Sequence, residues 1–281
     1  TYLMNWKGQT INPPLTWQAE YTDLGNNKIG FDLGSYNTTK YLVLQVELKR
    51  GAGGGCPDGL AWSTYWGGED RDRGKALSID DNEDVFMAGE SSSLSFPVNA
   101  GGLDTVNAGS FDAFIAKFAH IPLGGNSLEW NTFYGGIDDD YAHDVVADHL
   151  GRVAIAGYSE SNNLPLLDPS NGGGAYFESF GTSNADAYIA RFNGNTGFHQ
   201  WGTYYPGDEG ESFEGLATDN ESNIYAVGWT SSSNVDLLDP ADGSWFSTTG
   251  QGLITRFDSA AELTWATRYG VGGVGIPNGT K

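Results

Sequence analysis

The sequence predicts an all-β fold built from repeated four-stranded antiparallel sheets. Three observations lead to it. A block of aromatic residues recurs along the chain, residues within each repeat alternate between polar and apolar, and no segment shows the 3.6-residue period of an amphipathic helix. With 281 residues, including 9 Trp, 14 Tyr and 14 Phe, the chain has enough apolar area for a sizeable core.

Charge and cysteine content argue against several classes of protein. The formal net charge is −22 at pH 7, which argues strongly against nonspecific nucleic-acid binding, because that binding depends on cationic side chains. The same charge opposes adsorption to anionic lipid and fits a protein kept soluble outside the cell. The most apolar run, 41–46, is far shorter than the roughly 20 residues of a membrane-spanning helix. Cys56 is the only cysteine, so no internal disulfide can form.

The repeated block aligns without gaps in three copies. It reads Trp62-Ser-Thr-Tyr-Trp-Gly-Gly, Trp130-Asn-Thr-Phe-Tyr-Gly-Gly and Trp201-Gly-Thr-Tyr-Tyr-Pro-Gly. Eighteen residues after the tryptophan comes an aspartate, and twenty-seven residues after it a glycine. These residues are Asp80, Asp148 and Asp219, then Gly89, Gly157 and Gly228. Weaker copies begin at Trp17 and Trp265, so the repeat covers most of the chain.

Each unit predicts four short strands, with the tryptophan strand first. In the unit that starts at Trp62, later strands begin at Lys75, Val85 and Phe114, and Asp80 marks a hairpin turn. A four-stranded sheet cannot bury both faces alone, so such units stack as blades of a β-propeller. We expect Trp62, Trp130 and Trp201 to be buried between or within blades, and Phe118, Phe192 and Phe257 to occupy equivalent positions.

The repeat spacing gives the blade boundaries and predicts an incomplete ring of about four blades. The boundaries are 1–59 for a degenerate first blade with a glycine-rich linker, 60–127, 128–199 and 200–263 for one blade each, and 264–281 for the first strand of a further blade. The strand segments at 2–7 and 265–269 then have no complete sheet to join. We expect the ring ends to be covered by the rest of a longer polypeptide or by a partner subunit.

The units resemble the SBBP-type β-propeller repeat, in which Trp-x-Thr-Tyr-x-Gly-Gly precedes an Asp-turn strand and an Ala-Gly-x-Thr-Ser segment. That segment reads Ala88-Gly-Glu-Ser-Ser, Ala156-Gly-Tyr-Ser-Glu and Val227-Gly-Trp-Thr-Ser here, and the likeness covers about 60–265. The resemblance implies a large secreted surface protein of gliding bacteria, exported by type IX secretion. It also implies O-glycosylation at short Asp-Ser/Thr patterns, which here contain Thr105 and Ser259.

Insertions of about 20 residues separate the third and fourth predicted strands and emerge at one end of the propeller. Two of them carry adjacent aromatics, Tyr176 with Phe177 and Trp245 with Phe246. Loops on a rigid scaffold often carry binding residues, so these rings are candidates for stacking on sugars or anchoring a protein. The alternative is that they fold back and cap the ends of blades.

An acidic cluster, Asp138, Asp139 and Asp140, follows one Gly-Gly turn. Calcium binds six to eight oxygen atoms, so this cluster is a candidate calcium site and calcium the one cofactor the sequence suggests. Catalytic motifs are lacking, since neither His-Glu-x-x-His nor Gly-x-Ser-x-Gly occurs. The sequence therefore predicts no catalytic residues.

The predicted function is that of a non-enzymatic extracellular module of a bacterial surface protein, acting in adhesion, in ligand binding or as a structural spacer. Its partners would be a protein or carbohydrate at the cell surface. One alternative is a polysaccharide-acting enzyme, recognisable by two carboxylates and a basic residue converging near the propeller axis. The other is a subunit of a larger secreted surface assembly.

Overall fold

The part of the chain that the structure describes consists of strands and turns. A computed structural model describes residues 2–4, 17–25, 28–32, 46–47, 62–94, 104, 106–121, 125–167, 179–181 and 185–270. The chain divides into two compact units, Thr1–Trp66 with Ile121–Asn126, and Gly67–His120 with Ser127–Lys281. Within the described ranges every regular element is a β-strand, and no helix suited to crossing a membrane is found.

The described residues of the smaller unit form two small antiparallel sheets. Strands β1 (Tyr2–Met4), β2 (Trp17–Gly25) and β3 (Lys28–Asp32) form the first, and β4 (Val46–Glu47) pairs with β5 (Trp62–Ser63) in the second. The predicted N-terminal strand lies in β1, which pairs with the beginning of β2 in a sheet of three strands instead of the four of a complete blade.

The larger unit contains three four-stranded antiparallel sheets, which confirms the prediction of an all-β fold built from such sheets. Their strands follow one another in chain order. Sheet I comprises β6 (Asp72–Ile79), β7 (Val85–Ser91), β8 (Asp112–Ile121) and β9 (Gly125–Tyr134). Sheet II comprises β10 (Asp140–Ala147), β11 (Arg152–Ser159), β12 (Asp186–Asn193) and β13 (His199–Tyr205). Sheet III comprises β14 (Glu211–Thr218), β15 (Ile224–Thr230), β16 (Gly252–Phe257) and β17 (Leu263–Tyr269).

The tryptophan strand ends each sheet, and the prediction that it begins one is wrong. Trp130, Trp201 and Trp265 lie in β9, β13 and β17, the fourth strands of sheets I, II and III. Each sheet thus joins three strands of one sequence unit to the first strand of the next. The strand at Trp265 therefore completes sheet III instead of starting a further blade.

Sheets I and II, and sheets II and III, pack face to face around two apolar cores. The first core joins side chains such as Phe86 and Ile115 of sheet I to Val153 and Phe192 of sheet II. The second joins the opposite face of sheet II to sheet III. Because sheet II is covered on both faces, its third strand is buried along almost its whole length.

Trp130 and Trp201 are buried in these cores, as predicted, with 2 % and 0 % of their surface exposed. The Trp130 indole crosses from sheet I to sheet II, where Nε1 donates a hydrogen bond to the carbonyl of Gly194 at 2.9 Å. The side chain of Trp62 lies outside the described residues. The prediction that the terminal phenylalanines occupy equivalent positions is confirmed. Each pairs with a residue at the start of the second strand of its sheet: Phe118 with Val85, Phe192 with Val153 and Phe257 with Ile224.

The predicted aspartate turns close the hairpins at one end of the sheets. Asp148 shows the geometry: its Oδ1 accepts hydrogen bonds from the backbone N–H groups of Leu150 and Arg152. Asp80 and Asp219 do the same in their turns. These bonds satisfy backbone donors that the strand ladder leaves over, so the turn occupies the same place in every copy.

Candidate functional site

The first strands of the three sheets, β6, β10 and β14, lie side by side and carry the same irregularity. In each, one residue is left out of the pairing with the second strand, which makes a β-bulge. The bulged residues are Lys75, His143 and Glu214. A bulge changes the direction in which a side chain points, and bulges are common beside binding sites.

The repeated glycine has a structural cause in this bulge. Gly89, Gly157 and Gly228 lie on the second strands, opposite the bulges. A Cβ on any of them would overlap a carbonyl oxygen of the first strand, which lies well inside van der Waals distance. The backbone around the bulge therefore fits only when the facing residue has no side chain.

Each bulged side chain has a partner on the second strand of its own sheet, at the position after the glycine. Lys75 Nζ lies 3.4 Å from Glu90 Oε2 in sheet I. In sheet II the His143 ring lies edge-on to the Tyr158 ring, with 5.4 Å between centroids. In sheet III, Trp229 Nε1 donates a hydrogen bond to Glu214 Oε1 at 3.1 Å. We call these three contacts the bulge pairs.

The bulged residues line one cleft of about 560 Å³, here called the bulge cleft. Its lining residues are Gly74, Lys75, Ala76, Leu77, Met87, His143, Asp144 and Glu214. Sheet I supplies the apolar part of the wall and one cation, whereas sheets II and III supply the imidazole and two carboxylates. The volume lies in the range of small-molecule sites in proteins.

Glu214 is held in place from three sides. Ser212 Oγ and Trp229 Nε1 donate to Oε1 at 2.8 and 3.1 Å, and His143 Nδ1 lies 3.1 Å from Oε2. The hydrogen bond from His143 is the main cause that lowers the pKa of Glu214, to about 2. The carboxylate therefore stays ionised at any physiological pH.

A column of stacked side chains crosses from sheet I to sheet II beside the cleft. The Phe111 and Tyr141 rings lie 5.9 Å apart, and the Tyr141 and Tyr158 rings 4.8 Å apart. Burial raises the pKa of Tyr158, and the negative charges of nearby carboxylates, Glu160 and Glu90 foremost, raise it further. Tyr141 is stacked against both of the other rings, so neither of its faces is open to a ligand.

The three aspartates of the predicted calcium cluster differ in burial and in the contacts that they make. Asp140 is fully buried at the start of β10, and its Oδ2 accepts hydrogen bonds from Gly136 N and Ser161 Oγ at 2.6 and 2.9 Å. Asp139 accepts from Phe111 N and from the Tyr141 hydroxyl, and Asp138 is exposed. Among the residues described, no group of three or more His, Cys, Asp or Glu side chains that could hold a metal ion is found.

Asp140 has instead a buried acidic neighbour from sheet I. A Cβ on Gly135 would lie 2.7 Å from Asp112 Oδ1 and 2.9 Å from Asp140 Oδ2, so the two carboxyl groups flank one point. Burial raises the pKa of Asp112 to about 7, with the charge of Asp140 adding to the effect, and burial raises the pKa of Asp140 to about 6. Glu211 at the start of β14 shows the same effect, with a pKa raised to about 7.

The predicted loop aromatics are only partly described. Trp245 is 58 % exposed and Phe246 is half-buried in the loop between β15 and β16, and nothing in the structure brings them to the bulge cleft. Tyr176 and Phe177 lie outside the described residues. So do Thr105 and Cys56, while Ser259 is exposed in the turn between β16 and β17.

Comparison with known proteins gives no assignment: no family model matches the sequence, and no curated protein matches it significantly.

Sequence reasoning missed the bulge cleft, although the repeat contains its signal. Lys75, His143 and Glu214 each stand thirteen residues after the tryptophan of their copy. The residues differ in all three copies, whereas the tryptophan and the glycine around them do not. A variable polar residue at a fixed place in a repeated framework is the pattern that could have identified the site.

Proposed function

We propose that this chain is a non-enzymatic, ligand-binding β-propeller module of a secreted bacterial surface protein, and that the bulge cleft is its binding site. The observation that carries the proposal is the repetition of the bulge with a different residue in each copy. A structural spacer would need the packing residues but not three different polar side chains directed into one cleft.

The propeller arrangement is part of the proposal. Sheets that follow one another in chain order, pack face to face and align their first strands are typical of propeller blades. The extracellular location and a cell-surface protein or carbohydrate partner are supported by the net charge of −22 and by the SBBP-like motifs. Calcium binding at Asp138–Asp140 and glycosylation at Ser259 and Thr105 remain proposals of the same kind.

The second candidate is a polysaccharide-acting enzyme, since the bulge cleft brings His143 together with Asp144 and Glu214. Glycoside hydrolysis needs one carboxylic acid that keeps its proton near neutral pH. Glu214 does not meet this condition, because its pKa is lowered to about 2. Glu214 could therefore act only as the ionised carboxylate of such a pair and not as the acid.

A comparison of two triple variants tests the proposal. The cleft variant is Lys75→Ala/His143→Ala/Glu214→Ala, and the control is Glu83→Ala/His149→Ala/Glu221→Ala, which changes exposed residues in the aspartate turns. Both are compared with the wild type on arrays of bacterial polysaccharides and surface proteins, after circular dichroism has confirmed the fold. We expect ligands of the wild type and the control to be lost in the cleft variant. Ligands that the cleft variant retains would place the binding site elsewhere.

A further inference from the structure

We infer that the bulge cleft binds an organic cation with an apolar stem, namely an alkylammonium or guanidinium group. The inference rests on the proposed function and adds the chemical class of the ligand. Such a group could be carried by a small diamine or by a basic side chain of a peptide. The observation that carries it is the division of the cleft into an apolar wall from sheet I and an anionic wall from sheets II and III.

The anionic wall is preorganised. Glu214 is fixed by three hydrogen-bonding neighbours, and about half of its side chain remains exposed. Asp144 stands beside it, held by backbone N–H groups of Val145 and Leu216. Because both carboxylates are oriented before a ligand arrives, these side chains lose little additional freedom when a cation binds to them.

An aromatic ring borders the same carboxylate. The Trp229 indole donates to Glu214 Oε1 and is 36 % exposed. The edge of the indole faces Glu214 through Nε1, and a cation that approached over the exposed part of the ring would gain a cation–π contact, which tryptophan gives most strongly. A carboxylate beside an indole suits an ammonium or guanidinium group better than a neutral sugar, which gains nothing from the charge.

The opposite wall offers a place for the stem and little attraction for an anion. Leu77 is 66 % exposed, and Met87 lies next to it along the cleft. The cations on this side, Lys75 and Arg73, are both engaged by the buried carboxylate of Glu90, at 3.4 and 3.0 Å. An anionic ligand would have to compete with Glu90 for both of these cations.

Binding of three probes to the full chain, measured by calorimetry at low salt, tests the inference. The probes are 1,5-diaminopentane, the capped peptide acetyl-Gly-Lys-Gly-amide and the same peptide with norleucine in place of lysine. We expect the two ammonium probes to bind and the norleucine peptide, which has the stem without the charge, not to bind. Tighter binding of the diamine would identify a small cation as the ligand, and tighter binding of the lysine peptide a basic protein segment.

Two substitutions locate the contact. Glu214→Gln keeps the shape of the side chain, and we expect it to weaken binding of both ammonium probes about tenfold, the loss expected when a charge-assisted hydrogen bond becomes neutral. Glu221→Gln, in an exposed turn of the same sheet, should leave the affinity unchanged. If Glu214→Gln does not fold, Trp229→Leu takes its place, since loss of the ring should also weaken the ammonium probes.

Failure of the inference can be told apart from failure of the proposed function. Equal affinity of the lysine and norleucine peptides, or of the wild type and Glu214→Gln, overturns the inference. If the array then yields a neutral ligand that the triple cleft variant loses, the binding function stands and only the ligand class is wrong. If the triple variant keeps every ligand of the wild type, both are wrong.

Discussion

The glycine opposite each bulge has no room for a side chain. In sheet II, a Cβ on Gly157 would overlap the carbonyl oxygen of Tyr141 and crowd the Cα of Ala142. These are backbone atoms, which cannot turn away as a flexible side chain can. The bulge and the glycine therefore depend on each other, and the bulge directs His143 into the cleft.

We expect Gly157→Ala to lower the free energy of unfolding by about 3 kcal/mol, at the upper end of the usual cost of overpacking. The matched control is Gly210→Ala, where a Cβ would meet Trp229 only at an ordinary contact distance of 3.6 Å. Urea denaturation of both variants measures the difference. A stability of Gly157→Ala close to that of the control would show that the bulge does not require glycine.

Asp140 and Asp112 should make stability depend on pH. Their pKa values rise from 3.8 in the unfolded chain to about 6 and about 7 in the folded protein. The folded state therefore holds these protons more tightly, so their contribution to stability is present at pH 4 and is lost as the pH rises to about 7. Burial lowers the pKa of His199 to about 4, which acts in the opposite direction below pH 6.5.

Asp140→Asn isolates the effect of the carboxyl pair, because His199 is unchanged in the variant. The amide oxygen can keep the bonds from Gly136 and Ser161, and the amide nitrogen, in the place of Oδ1, can donate to the Ser159 hydroxyl. We expect the stability of the variant relative to the wild type to increase between pH 4 and pH 7. Thermal melts across this range measure it, and a constant difference would mean that the pair does not hold a proton.

At the scale of strands and turns, the local pattern was readable from the sequence and the pairing was not. Alternation of polar and apolar residues identified the strand at Val85, and the aspartates identified the hairpin turns. The start of a repeat, however, is an arbitrary choice along the chain. Only the pairing of distant strands shows that Trp130 closes one sheet instead of opening the next.

The bulges were missed for a related reason. An extra residue interrupts the alternation of apolar and polar residues for one position, after which it resumes. The sequence of a bulged strand therefore looks much like that of a regular strand. The effect is visible in the pairing, where Ala142 faces Gly157 but Asp144 faces Ala156. The sequence therefore predicts a binding site in loops such as the one that holds Trp245, where the copies differ most obviously, and not in the first strands.

One of the aspartate turns contains a residue, Ser222, whose replacement should make the folded protein more stable. Three residues after the turn aspartates, the backbone adopts a left-handed conformation, with φ of 73° at Gly151 and 62° at Ser222. Glycine takes this conformation without strain, whereas other residues do not. The Ser222 hydroxyl is in addition buried without a hydrogen-bond partner.

We therefore expect Ser222→Gly to raise the free energy of unfolding by about 1 kcal/mol, since relief of strain exceeds the entropy that glycine gains in the unfolded chain. Ser222→Ala removes the hydroxyl but keeps the strained backbone, so its gain should be smaller. Chemical denaturation of the two variants separates these contributions. Equal stabilities would show that the hydroxyl alone matters.

At the scale of the whole molecule, sheet III leaves uncovered a face that the other sheets bury. The position before the repeated glycine holds Ala88 in sheet I and Ala156 in sheet II, both fully buried, and Val227 in sheet III, 40 % exposed. The equivalent isoleucines show the same trend, since Ile189 is fully buried and Ile254 only partly so. The outer face of sheet III therefore has the apolar residues that sheets I and II use to pack against a neighbouring sheet.

This face leads to a prediction about association. An uncovered apolar sheet face favours contact with a second surface of the same kind, so we expect the 281-residue chain by itself to form species heavier than the monomer as its concentration rises. Val227→Glu should keep the chain monomeric, because a carboxylate in the centre of the face would lose its water on association. Leu150→Glu, at an exposed turn position, is the control and should associate like the wild type. Sedimentation velocity measures all three proteins. A wild-type chain that stays monomeric at high concentration and unfolds in one cooperative transition would show that three packed sheets need no further cover on this side.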